Sequence, residues 1–188
     1  HGVPVFGALR VRQVLSDTAE YLQSLYDQTV ALMNSGARLD EIVRSVAPPA
    51  KPSENPYLQA VYDEPEFIVR NIWRLEAGWY DGVPSHLKPA SMANQAVQIA
   101  ELAGGVEKLV ERAAAKFAAG DLAMASHLID WAVLAAPENV AAHAERTRIY
   151  AARAVESRST MSHGIFRAAA IESAAKAGIE VPEDLRTV

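Results

Sequence analysis

Apolar side chains recur at spacings of three and four from Ala8 to Asn34, and no other feature of the chain restricts its fold as strongly. Leu9, Val14, Leu15, Thr18, Leu22, Leu25, Thr29, Leu32 and Met33 follow the stripe of an amphipathic helix, not the alternation of a strand. Gly36 stands where a glycine ends such a helix.

The same period returns downstream between sharp punctuation marks. A short helix is predicted over Asp40 to Val46. The stretch APPAKPSENP, Ala47 to Pro56, then breaks the pattern with four prolines and reads as an extended loop. A third helix starts at Pro65 or Glu66, where proline and a carboxylate both suit a helix N-terminus, and runs to Ala77. Ser91 caps a fourth that reaches Ala103. Val106 to Ala119, Leu122 to Ala135, Asn139 to about Ser157 and about Met161 to Ala177 complete the set, the last ended by Gly178. Only Val3 to Phe6 suggests a strand. The expected fold class is therefore all-α, a bundle of about eight helices joined by short loops.

Composition narrows the partners. The chain has 188 residues, half of them hydrophobic, a net charge of −5 and no cysteine. A core is affordable at that length. An acidic chain lacks the basic face that nucleic acid requires. No apolar run approaches the roughly 20 residues of a membrane span. Without cysteine there is no disulfide, no thiolate metal site and no thiol nucleophile.

One stretch, GDLAMASHLIDWAVLAAP, has the spacing of the second half of a tetratricopeptide (TPR) repeat. Gly120 turns the chain, small Ala125 and Ala132 permit close helix approach, and Pro137 stops the helix. The first half is degenerate, because Arg112 and Lys116 stand where apolar residues belong. A single TPR-like hairpin inside a larger helical domain is the expected arrangement, since one unit cannot bury its own faces.

Local chemistry is sparse. His86, His127, His143 and His163 form no HxxxH or HExxH pair; the last three read as packing or surface residues and His86 as a loop residue. His1 precedes an apolar Gly-Val-Pro-Val-Phe-Gly stretch, and an N-terminal histidine can chelate copper through its own amine. The aromatic-rich segment from Ile68 to Pro89 contains Trp73, Trp79 and Tyr80. There Arg70 and Arg74 stand one turn apart, either as exposed arginines or as a fork for an anion. The carboxylates of YDEPEF, from Tyr62 to Phe67, are explained by the helix N-terminus they precede. No nucleophile elbow and no glycine-rich phosphate loop is present.

Taken in order, the blocks HGVPVFG, YLQSLYDQTVALMNSGARLDEIV, YDEPEFIVRNIWRLEAGWYDGVPSHLKP, ELAGG and AAGDLAMASHLIDWAVLAAPEN resemble the alkylsulfatases of the metallo-β-lactamase superfamily. The likeness covers roughly residues 1 to 175, from the end of the catalytic domain through the dimerisation domain. It implies residues 1–7 as a remnant of that catalytic domain, 8–178 as the helical dimerisation domain and 179–188 as a tail. It implies a parent hydrolase with two zinc ions, in which His1 is a late metal ligand and the other ligands lie upstream. A C-terminal fragment that is inactive alone is then expected. The partners implied are a second copy of the chain and the parent's catalytic domain. Tyr62, Asp63, Arg70, Arg74, Trp79 and Tyr80 become candidates for the wall of the active-site entrance. Asp63 departs from the pattern, because characterised alkylsulfatases resemble YHG where this chain has Tyr62-Asp63-Glu64. The resemblance implies hydrolysis of a sulfuric or related ester, but a carboxylate at Asp63 would repel a sulfate monoanion, which counts against alkyl sulfate and points to a related ester or another anionic substrate. The alternative is a free-standing TPR-like protein-interaction module, monomeric and with a peptide ligand.

Overall fold

Side chains close the starts of the later helices in the computed structural model, which describes residues 4–49 and 55–185. The helices are α1 (Ala8–Asn34), α2 (Leu39–Ser45), α3 (Pro65–Ala77), α4 (Met92–Ala103), α5 (Val106–Ala118), α6 (Leu122–Ala135), α7 (Val140–Glu156) and α8 (Thr160–Ala177). Ser91, Asp121, Asn139 and Ser159 each accept a hydrogen bond from a backbone N–H of the first turn of α4, α6, α7 and α8. Each satisfies a donor that the helix itself leaves unpaired. Pro65 opens α3 as expected. Short 3-10 turns occur at Pro56–Leu58, Pro84–His86 and Glu183–Leu185. The described residues are all-helical and carry no strand: Pro4, Val5 and Phe6 are irregular, having no neighbouring strand to pair with, and Val3 lies outside the described residues. Of the proline-rich loop, Ala47 to Pro49 are non-helical, residues 50–54 lie outside the described set, and Pro56 already begins a 3-10 turn.

The chain divides into two units, His1–Lys88 and Pro89–Val188. In the first, α1 and α2 both pack on α3. Its core is Leu25, Ile42, Val46, Val69 and Ile72, with Tyr21, Tyr26, Met33 and Trp73 partly buried against it. Fully buried positions on α1, Leu25 and Thr29, occur only in its second half. Thr29 satisfies its hydroxyl on the Leu25 carbonyl at 2.7 Å. One long-range bond joins α1 to α3, the Tyr26 hydroxyl donating to Glu76 at 2.9 Å, and the Trp73 indole donates to the Tyr80 carbonyl at 3.0 Å, tying the end of α3 to the turn that follows. Earlier on α1, Asp17 accepts from the Tyr57 hydroxyl and, at 3.2 Å, from the Asn55 amide.

The second unit is built on buried alanine. Ala113, Ala125, Ala132, Ala142, Ala154 and Ala170 are fully buried, with Leu109, Ile129, Ile149 and Leu185 filling the spaces between helices. Small side chains let α5 to α8 approach closely, and larger ones interdigitate around them. Gly120 makes the turn between α5 and α6 at φ 78°, a conformation that L side chains rarely adopt. A polar network crosses this core. Asp130 of α6 accepts from Arg146 of α7 at 2.7 Å and from the Tyr150 hydroxyl at 2.6 Å. Arg146 also donates to Ser173 of α8 at 2.8 Å and to the Ala169 carbonyl at 3.1 Å. His143 is buried, with one ring nitrogen 2.8 Å from the Pro137 carbonyl and the other 3.3 Å from Ser173. After α8 the chain turns back, so that Leu185 enters the core and its carbonyl accepts from Arg167 at 2.8 Å.

Candidate functional site

Two features of the first unit stand apart from ordinary packing. The first is an uncovered apolar surface on α1. Val11, Val14, Thr18 and Tyr21 are half-buried along one stripe, but Leu9, Leu15 and Leu22 are 84%, 65% and 44% exposed. Leu15 and Leu22 are seven residues apart, which places them on one face two turns apart. Phe6, just before the helix, is exposed as well. Burying one such leucine is worth roughly 1.5–3 kcal/mol, so leaving several in water is a cost the fold does not recover within this unit.

The second feature is a cleft of about 510 Å³ between the start of α2, α3 and the 81–86 turn. Its walls carry Arg38, Asp40, Glu41, Arg70, Asp81 and His86, with Leu39 and Val83 as apolar members. Asp81 shapes the turn. One carboxylate oxygen accepts the Val83 N–H at 3.0 Å, and the other is 2.6 Å from Nδ1 of His86. The hydrogen bond to His86, and then that to Val83, hold the Asp81 carboxyl below its ordinary range. Asp40 is gripped by both nitrogens of an Arg44 fork at 3.1 and 3.0 Å. That bond, reinforced by the charges of Arg44 and Arg70, likewise lowers the Asp40 carboxyl. Glu41 accepts the Arg38 backbone N–H at 2.8 Å, closing the first turn of α2.

The other sequence-predicted residues fall around these features unevenly. Arg70 lines the cleft and Arg74, one turn on, is not among its lining residues. Tyr62 is exposed, and the half-buried Asp63 accepts the Glu64 N–H at 2.9 Å. Trp79 is 73% exposed and meets Tyr80 edge to face with ring centroids 6.1 Å apart. His1 lies outside the described residues. Gly120, Ala125, Ala132 and Pro137 occupy the α5–α6 turn, two buried positions of α6 and the segment just after it. Sequence reasoning missed Arg38, Asp40, Glu41 and Asp81 as members of one site. The local signals were there, in the Asp40/Arg44 pair one turn apart and in an Asp-Gly turn five residues before a histidine, but nothing local says that α3 brings Arg70 to them.

Chemically, the cleft offers two guanidinium groups and an imidazole oriented by a carboxylate, with no hydroxyl or thiol nucleophile on its walls. Among the described residues no group of three or more histidine, aspartate or glutamate side chains is placed to hold a metal ion, so they do not fit a zinc site of their own. Nor is any helix among them long and apolar enough to cross a membrane.

An all-helical unit pair with an unpacked apolar helix face has the character of an association domain. Residues 38–176, which begin after α1, match the alkyl sulfatase dimerisation family, and the chain belongs to that family. It is 35% identical over 134 residues to a linear primary-alkylsulfatase of Pseudomonas sp., covering 71% of this chain and 25% of that protein. It is 30% identical over 145 residues to an (R)-specific secondary-alkylsulfatase of Pseudomonas sp., covering 77% and 22%. The solved structure of a stereoselective inverting sec-alkylsulfatase from Pseudomonas sp. superposes with a TM-score of 0.86 at 25% identity, over 96% of this chain and 28% of that one. The chain thus spans about a quarter of the length of the relatives it matches.

Proposed function

We propose that the chain forms a homodimer and that it does so as the association domain of an alkylsulfatase-like zinc hydrolase. The observation that carries this reading is the exposed Leu9, Leu15 and Leu22 on α1, ahead of its fully buried Leu25, in a chain of the dimerisation family. A second copy is a partner of matching chemistry, and an obligate dimer interface commonly buries 2,000 Å² or more in total. The domain reading is residues 1–7 from the catalytic domain, 8–178 for association and 179–188 as a tail.

The parent activity is hydrolysis of a sulfuric or related anionic ester. Zinc in the whole enzyme would supply an activated water. His1 would be one ligand, with the rest elsewhere in that enzyme, and the isolated chain would be inactive. Tyr62, Asp63, Arg70, Arg74, Trp79 and Tyr80 are proposed to face the catalytic domain and wall its entrance. The exposure of Tyr62 and Trp79 supports this, since both are available to a covering surface. Asp63 favours an ester other than the simplest alkyl sulfates. The α5–α6 pair is read as a TPR-like hairpin that packs structurally. The family match does not favour a free-standing peptide-binding module.

Sedimentation velocity on the wild-type chain and on the Leu15→Glu/Leu22→Glu double variant tests the association. The expected result is a dimer for the wild type and a monomer of unchanged helical circular dichroism for the variant. A wild-type chain that stays monomeric at every concentration overturns the reading.

A further inference from the structure

We propose that Asp81–Gly82 is a latent site of spontaneous aspartate isomerisation, and that His86 is the group that holds the reaction back. This goes beyond self-association and does not depend on it.

An aspartyl residue isomerises when the amide nitrogen of the next residue attacks its side-chain carboxyl carbon. The new Cγ–N bond closes a succinimide ring. The carboxyl hydroxyl and the amide proton leave together as water. Water then reopens the ring at either carbonyl. Opening at Cγ returns aspartate; opening at the main-chain carbon gives isoaspartate, whose backbone runs through the side chain. Water is the only co-reactant, and nothing is oxidised or reduced.

The chain has one Asp-Gly step and no Asn-Gly step. Glycine carries no Cβ to shield its nitrogen. In this turn the nitrogen is also unengaged, because the Gly82 N–H donates to no described residue.

The carboxyl group is the opposite case. The Val83 N–H donates to one oxygen of Asp81 at 3.0 Å, and Nδ1 of His86 lies 2.6 Å from the other. The 3-10 turn Pro84–His86, closed by the His86 N–H on the Val83 carbonyl at 2.9 Å, brings the imidazole back to Asp81. Both contacts favour the ionised carboxylate. A carboxylate has no hydroxyl to expel as water. Held at both oxygens, it also cannot swing its carbon over the Gly82 nitrogen. The attacking group is thus available and its target is locked. The shorter of the two locking contacts rests on a single imidazole whose side chain is 59% exposed.

The product would not fit the turn as it stands. Isoaspartate puts one more atom into the backbone ahead of Gly82. A Cβ on Gly82 would already lie 3.3 Å from Cγ of Arg38, the residue that precedes α2. The longer backbone therefore presses the turn away from the start of α2.

Ageing the full chain at neutral pH, folded and in guanidinium chloride, tests this. Isoaspartate is read with its specific methyltransferase and placed by peptide mapping. At residue 81 it should accumulate about tenfold more slowly in the folded wild type than in the denatured chain, and His86→Ala should raise the folded rate by about tenfold, as expected for loss of one charge-assisted hydrogen bond. Tyr26→Phe, which loosens α3 away from this turn, should keep the wild-type rate. Circular dichroism and thermal midpoints check the fold of each variant. Should His86→Ala not fold, His86→Leu, of similar size and without a donor, is read in its place. A folded wild type that isomerises as fast as the denatured chain, a folded His86 variant no faster than wild type, or no isoaspartate at residue 81 even in the denatured chain would overturn the proposal.

Discussion

The two units use similar lengths of chain and bury very different amounts of it. The second folds five helices around buried alanines and threads a satisfied polar network, Asp130–Arg146–Tyr150–Ser173, through the middle. The first has three helices, a core of five buried residues among those described, and a long helix whose first half buries nothing completely. The second unit has the larger interior, although Leu102, Val140, Val155 and Ile165 stay exposed on its surface. Much of the first unit's apolar surface has no use within the unit, which is what a surface for other molecules looks like.

Four experiments would break or sharpen that contrast. Ile129→Ala opens a cavity in a fully buried site and should lower unfolding free energy by about 2–5 kcal/mol, whereas Leu15→Ala in the monomeric background should change it by less than about 0.5 kcal/mol. Urea unfolding measures both, and equal effects would end the distinction between the units.

Asp130→Ala removes the shared acceptor of Arg146 and Tyr150 and should destabilise by about 2 kcal/mol. Tyr150→Phe loses one hydrogen bond, and about 1 kcal/mol is expected.

Burial, and then the hydrogen bond to Asp130, push the Tyr150 phenol up to about 12. Because its folded pKa lies above the unfolded value near 10, its contribution is complete below pH 10 and is lost as pH rises through 12. A phenolate absorbance titration should show this late tyrosine, and it should vanish in Tyr150→Phe.

The smallest effect is at acid pH. The hydrogen bond from Lys116, helped by the Met124 N–H, lowers Asp121, as His86 and Val83 lower Asp81. A depressed carboxyl stabilises above its unfolded pKa and stops doing so as pH falls through the folded one. Asp121→Asn and Asp81→Asn should each flatten the acid limb of stability. A wild-type limb retained in both variants would show that neither pair contributes.

Much of this fold is legible in sequence because helix ends are chemically marked. The capping residues and the glycines placed α1, α3, α4 and α6 within a residue or so of where they lie. The expected strand near Val3–Phe6 had apolar content but no second strand in the sequence to pair with, and pairing is a tertiary property. The site was harder for the same reason. Arg70 and Arg74 look equivalent along α3, yet only the packing of α2 and the 81–86 turn against α3 makes one of them part of a cleft. Tyr150 is one of six tyrosines in the sequence, and nothing local distinguishes it until α6 presents Asp130 to it.

The continuity of α1 has a last consequence. Its exposed half and its packed half are one hydrogen-bonded rod, so ordering one end favours propagation into the other. Whatever covers Leu9, Leu15 and Leu22 therefore also tightens the grip of Leu25 and Thr29 on the core. By mass action, the melting temperature of the first unit should climb with protein concentration while that of the second stays fixed.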